Sequence, residues 1–162
     1  MAGVVDARLA ELGITLPDVA APVAAYVPAV RTGRYVYTSG QLPFVAGSLP
    51  ATGKVGDGEG LVTPDAAAGY ARTSVLNALA AVRAVVGDLD QVVRVVKVVG
   101  FVASDPSFTG QPAVINGAST VLGEIFGEAG VHARSAVGVA VLPLDSPVEV
   151  ELVVELADDA EG

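Results

Sequence analysis

Apolar residues recur at three- to four-residue spacing at Val5, Leu9 and Leu12, and Gly13 follows as a C-cap. This predicts a helical leader over about residues 1–16. A proline-punctuated connector from Leu16 to Pro22 leads to Tyr26-Val-Pro-Ala-Val-Arg31. Thr32-Gly33 reads as a turn, and Arg34-Tyr-Val-Tyr-Thr38 as a second strand rich in β-forming residues. The two make a hairpin in which Pro28 keeps the first strand at an edge. From Pro43 to Gly60 the periodicity fades. Two prolines and five glycines in that stretch predict a flexible loop.

Thr63-Pro64-Asp65 supplies an N-cap, a proline at the first helical position and an early acid. The helix begun there runs to about Val86. Tyr70, Val75, Leu79, Val82 and Val86 trace its apolar face, and Gly87 ends it. Val92 to Val102 is a long β-branched strand whose few charges mark a partly exposed end. A second helix fits Gln111 to Phe126, with Val114, Ala118, Val121, Leu122 and Ile125 apolar and Gly127 as its stop. Ala133 to Leu142 and Val148 to Leu156 are the last strands, and Pro143 to Pro147 reads as a hairpin loop between them. The order behind the leader is β-β-α-β-α-β-β. Two helices on one face of a mostly antiparallel sheet make a two-layer α+β fold. The second sheet face also needs cover, which points to an oligomer.

A length of 162 residues fits one domain, residues 1–162. Half the chain (52%) is hydrophobic and mean hydropathy is +0.59, so core material is plentiful. No Cys is present and only one His, which excludes disulfides, thiolate nucleophiles, Cys-containing zinc sites and all-histidine metal clusters. Lys and Arg number 9 against 18 Asp and Glu, for a net charge of -9. Nucleic-acid binding, which needs clustered basic charge, is disfavoured. Asp6, Arg8 and Glu11 interrupt any signal-peptide core, and no stretch approaches the roughly 20 apolar residues that cross a bilayer. The expectation is a soluble, cytoplasmic protein without a membrane partner.

The catalytic inventory is short. His132 with Ser135 or Ser39 invites a Ser-His-Asp reading, but no G-x-S-x-G elbow exists and a strand-end His is the simpler account. Gly53-Lys-Val-Gly-Asp-Gly-Glu-Gly60 superficially resembles a phosphate cradle, yet Asp57 and Glu59 would repel phosphate. Arg134 stands at the start of a strand of small and apolar residues. There it is costly unless it reaches water or a planar anion. Its fixed donors match a carboxylate, while an ion pair with Glu149, Glu151 or Glu155 on a neighbouring strand is the competing reading. Glu151 either lies on a solvated strand face or orients a water near a bound substrate. Tyr26 is a wall, a hydroxyl donor or simply core or rim. Thr38-Ser39-Gly40-Gln41 offers a hydroxyl and backbone N–H groups beside a glycine, which hold an oxyanion or merely turn the chain.

Several segments, in order, resemble the RidA/YjgF family of reactive-intermediate deaminases, whose older names include L-PSP endoribonuclease and translation initiation inhibitor. They are Tyr26-Val-Pro-Ala-Val-Arg-Thr-Gly33, Tyr37-Thr-Ser-Gly-Gln-Leu-Pro43, Asn77, Gly87 to Lys97, Asn116, His132 to Pro143 and Pro147-Val-Glu-Val-Glu151. The resemblance spans about Ala21 to Glu155. It implies a chorismate-mutase-like fold assembled as a homotrimer, with ligand clefts between subunits. It also implies hydrolysis of 2-aminoacrylate and related enamine or imine acids to 2-keto acids and ammonia, without a cofactor or metal. Carried over residue by residue, Arg134 would clamp a small carboxylate and Glu151 would position the attacking water. Tyr26, Ser39, Gly40 and Asn116 would line the pocket. Ala136 stands where many such deaminases have Cys. A non-catalytic trimer that binds small carboxylates uses Arg134 equally well, and RNA cleavage is the least supported reading.

Overall fold

The helices and strands among the described residues, short 3-10 turns aside, are α1 (Val4–Glu11), β1 (Ala29–Thr32), β2 (Tyr35–Thr38), α2 (Pro64–Val86), β3 (Val92–Ala103), α3 (Gln111–Phe126), β4 (Ala133–Val139) and β5 (Val148–Leu156). The structure, a computed structural model, describes residues 2–19 and 25–158. The end of the Leu16–Pro22 connector lies outside the described residues.

The two long helices begin and end where local chemistry dictates. Thr63 Oγ1 accepts from Ala66 N at 3.2 Å, Pro64 occupies the first turn, and Gly87 leaves the helix at φ 82°. Gly127, at φ 60°, ends α3 in the same way. The leader helix is shorter than its predicted span but is not loose. The Asp90 carboxylate accepts from Val4 N and Val5 N, each at 2.7 Å, so an acid caps the positive end of α1. Val5, Leu9, Ile14 and Leu16 are buried in the main core.

The five strands form one sheet in the order β1-β2-β5-β3-β4. Three pairings are antiparallel and β3–β4 is parallel, so the α+β, mostly antiparallel description holds. Two local expectations change. Thr32 pairs with Tyr35, which moves the hairpin turn to Gly33-Arg34, with Gly33 at φ 55°. More consequentially, β4 and β5 are not a hairpin. β5 inserts between β2 and β3, while β4 lies outside β3 at the sheet edge. Parallel strands need a crossover long enough to return the chain, and α3 provides it between β3 and β4. The Pro143–Pro147 segment therefore carries the chain across the sheet end, with Leu144 and Asp145 both at φ 58°.

Both long helices cover one sheet face. Along β5, Val148, Val150, Leu152, Val154 and Leu156 are buried against them, and Glu149, Glu151, Val153 and Glu155 alternate onto the other face. Gly100 on β3 makes room for Ile115 of α3, because a Cβ there would fall 2.4 Å from Ile115 Cδ1. The helix-free face carries Tyr35, Tyr37 and Val137, all at least 40% exposed, beside partly exposed Val99, Phe101 and Val153. These apolar side chains share the face with Glu149, Glu151, Glu155 and Lys97.

The glycine-rich stretch also differs from expectation. Val55 is fully buried, its N–H donates to Ala103 O at 2.7 Å, and its carbonyl accepts from Asp105 N at 2.9 Å. One apolar side chain thus straps this segment to the end of β3. No helix among the described residues is long and apolar enough to cross a membrane.

Candidate functional site

The residues picked from sequence fall into two groups on opposite sides of the sheet. The first gathers at the edge strand. Arg134 pairs in register with buried Val98, so its side chain leaves β4 on the helix side. There Nη1 donates to Asn116 Oδ1 at 2.7 Å and to Ser119 Oγ at 3.2 Å, both on α3. Asn116 and Ser119 are three residues apart and share a helical face, which is how one guanidinium reaches both. No carboxylate among the described residues forms an ion pair with Arg134. The competing reading, a pair with Glu149, Glu151 or Glu155, fails geometrically. Those glutamates lie on β5, beyond β3, and project from the opposite face.

The second group gathers where β2 ends. Ser39 N donates to Pro28 O at 2.8 Å and Ser39 Oγ to Val27 O at 2.6 Å, which holds the segment bearing exposed Tyr26 beside Ser39. Gln41 and Val150 exchange backbone hydrogen bonds of 2.8 and 3.0 Å, anchoring the Ser39-Gly40-Gln41 run to β5. Asn77 Nδ2, on α2, donates to Leu42 O at 3.0 Å and Phe44 O at 3.2 Å, which pins the start of the next loop to that helix. Gly40 faces the Glu149 side chain. A Cβ there would sit 1.8 Å from Glu149 Oε1, so the Glu149 carboxyl lies directly against the Gly40 backbone. Glu151 is two residues on, in register with Val99 and on the same face as Glu149.

The sequence offers Glu149 only as an ion-pair partner for Arg134 and as a residue sharing the face of Glu151, with no role in a site. Its burial raises the carboxyl above the ordinary glutamate value, with charge repulsion from Glu151 as the second cause. A raised folded-state value means that the protonated carboxyl is the form the fold prefers. Its contribution to stability is therefore complete at pH below the unfolded value near 4.5 and is lost as pH rises through the higher folded value. Glu149→Gln should then flatten that loss, and thermal melts across the weakly acidic to neutral range are the check. A variant that melts with the same pH slope as wild type would contradict this account.

His132 meets neither Ser135 nor Ser39. Its ring lies between Gly130 O, 2.6 Å from Nδ1, and Ser119 Oγ, 2.8 Å from Nε2. Ser135 instead receives Lys97 Nζ at 3.1 Å on the far sheet face. Ser119 was also missed. The readable signal was its position one turn after Asn116 on the face that meets β4. Among the described residues no group of three or more His, Cys, Asp or Glu side chains could hold a metal ion.

A mostly antiparallel five-stranded sheet with both long helices on one face is an α+β fold of chorismate-mutase-like build. The family description "YjgF/chorismate mutase-like, putative endoribonuclease" matches residues 6–156, and the chain belongs to this YjgF/RidA family. It is 47% identical over 157 residues, 95% of each chain, to protein TCP17 of Trypanosoma cruzi. Protein Atu1372 of Agrobacterium tumefaciens, whose crystal structure is described as of unknown function, is 43% identical. The likeness covers 95% of this chain and 93% of that one, with a TM-score of 0.85. A Shewanella oneidensis protein described as a "putative endoribonuclease" is 34% identical, over 94% and 99% of the two chains, with a TM-score of 0.88.

Proposed function

We propose that the protein is a homotrimeric hydrolase that deaminates enamine and imine acids of the 2-aminoacrylate type to 2-keto acids and ammonia. The observation that carries this reading is Arg134, half-buried at a sheet edge, backed by Asn116 and without a carboxylate partner among the described residues. A guanidinium so placed matches a planar carboxylate.

The chemistry asks little more. The enamine tautomerises to an imine, whose carbon is electrophilic once its nitrogen is protonated. Water adds to that carbon, and the resulting carbinolamine expels ammonia to leave the keto acid. Arg134 holds the carboxylate and Glu151 positions the water. Glu149, whose carboxyl burial raises above the ordinary glutamate value, is placed to give a proton to nitrogen and then, as a carboxylate, to take one from the water. Tyr26, Ser39 and Gly40 line the same cleft, and Asn116 holds the anchor. Arg134 and the glutamates lie two strands apart, about 10 Å, on opposite faces. A cleft built between subunits joins the Arg of one copy to the glutamates of the next, which supports a symmetric oligomer. The exposed Tyr35, Tyr37 and Val137 on the helix-free face support the same assembly.

Light scattering should accordingly find the mass of three 16.2 kDa chains at micromolar concentration. A monomer would remove the joint cleft. The activity test is a coupled assay in which 2-aminoacrylate is released in situ and pyruvate appearance is followed. Wild-type protein should accelerate pyruvate formation over buffer. Pyruvate binding without acceleration would leave a carboxylate-binding trimer instead. The word endoribonuclease in the relatives' descriptions finds little physical support here, because a net charge of -9 repels a phosphate backbone.

A further inference from the structure

A guanidinium presents five N–H donors in one plane. Nη1 of Arg134 spends both of its hydrogens inside the subunit, one on Asn116 Oδ1 and one on Ser119 Oγ. The Nε–H and the two Nη2–H groups have no acceptor among the described residues. Nε–H and the nearer Nη2–H run parallel, and that side edge matches the two oxygens of one carboxylate.

Ser119 is committed in turn, through a chain with a fixed direction. Gly130 O, 2.6 Å from His132 Nδ1, can only accept, so Nδ1 carries the proton. In the neutral ring Nε2 is then an acceptor, and its neighbour at 2.8 Å is Ser119 Oγ. The hydroxyl hydrogen therefore points at His132 and an oxygen lone pair points at Arg134. With its hydrogen committed to His132, the hydroxyl is held in the one orientation that accepts from Arg134.

We propose that Ser119 and His132 are positioning residues, which fix the direction of this chain and so turn the Nε–Nη2 edge of Arg134 toward the carboxylate of a 2-oxo or 2-imino acid. The inference rests on the reading of Arg134 as the carboxylate anchor and adds which edge of it binds and what holds that edge in place. Neither residue touches the ligand. Both act through Arg134.

The chain has a single His, so a long-range proton–nitrogen correlation spectrum contains one imidazole. The expected tautomer carries its proton on Nδ1, and an Nε2–H tautomer would overturn the direction of the chain. Arg134 side-chain resonances, assigned by their loss in Arg134→Lys, should show hindered rotation at Nη1 in the ligand-free wild type and free rotation in Ser119→Ala. An averaged signal in wild type would also overturn the proposal. Calorimetry with pyruvate as probe should show about tenfold weaker binding in Ser119→Ala and His132→Asn, the scale of one charged hydrogen bond. Ser119→Thr keeps the hydroxyl and His132→Gln keeps an acceptor near the Nε2 position. Both should bind within about twofold of wild type, which separates positioning from folding. In the pyruvate-forming assay Ser119→Ala should raise KM with kcat nearly unchanged. Unchanged pyruvate binding in Ser119→Ala would refute the role. Wild-type protein with a pinned guanidinium but no pyruvate binding would instead refute the carboxylate-anchor reading and leave the positioning intact.

Discussion

Replacing Arg134 by Ala is expected to lower kcat/KM for 2-aminoacrylate hydrolysis at least about a hundredfold, roughly 2.7 kcal/mol of transition-state binding. The loss is large because the guanidinium supplies both the charge and the two-point geometry of the anchor. Arg134→Lys keeps only the charge and should recover a small part. Stability should barely change. Arg134 has no ion pair to lose among the described residues, and exposed Asn116 and half-buried Ser119 can turn to water once it is gone. Pyruvate appearance measures the first effect and differential scanning calorimetry the second. Full activity in Arg134→Ala would remove the anchor from the mechanism. A collapsed melting temperature would mean that Arg134 is structural.

Gly117→Ala should produce the opposite profile, a severe loss of stability. Helices α2 and α3 cross at Gly117 with their backbones in contact. A Cβ there would stand 1.9 Å from Ala68 O and 2.6 Å from Ala68 C. Backbone cannot swing aside as a side-chain tip can, so the helices must separate. Ala gains up to about 1 kcal/mol of helix propensity over Gly, but overpacking of this severity costs about 3 kcal/mol or more. The expected net loss is about 2–3 kcal/mol, or a melting temperature lower by roughly 4–12 °C. Gly123, six residues along the same helix, has nothing within 4 Å of its would-be Cβ. Gly123→Ala should therefore stabilise by about 0.5–1 kcal/mol. Both are read at one protein concentration, since assembly shifts the apparent value. Equal effects at the two glycines would show that propensity, not the crossing, governs this helix.

Local signals carried far in this chain. The bounds of α2, α3 and β5 could be read from Thr63-Pro64, Gly87, Gly127 and the strict alternation of β5, because caps and face patterning act over a few residues. Strand order could not. Ala133 to Leu142 is small and β-branched throughout, so it fits beside β5 or beside β3 equally well. Only the α3 crossover decides between them. The Pro43–Gly60 stretch hid its anchor for a related reason. Five glycines dominate the composition there, whereas the ordering comes from one buried valine and its bonds to Ala103 and Asp105.

The site divides in the same way. Arg134 stood out because a charge among small apolar residues needs a reason. Glu149 did not, since its pressure against Gly40 is a contact between distant segments. Ser119 lies on α3 and His132, 13 residues on, just ahead of β4, and only the fold joins them.

The placement of Arg134 and Glu149 on opposite faces of one sheet has a genetic consequence. In the proposed assembly each chain contributes half of two different clefts, so an Arg134→Ala chain and a Glu149→Gln chain would be defective in different halves. Co-expressed and assembled at random in equal amounts, they should rebuild roughly a quarter of the clefts with both groups native. Two alleles that are each inactive alone would then complement one another within the same assembly.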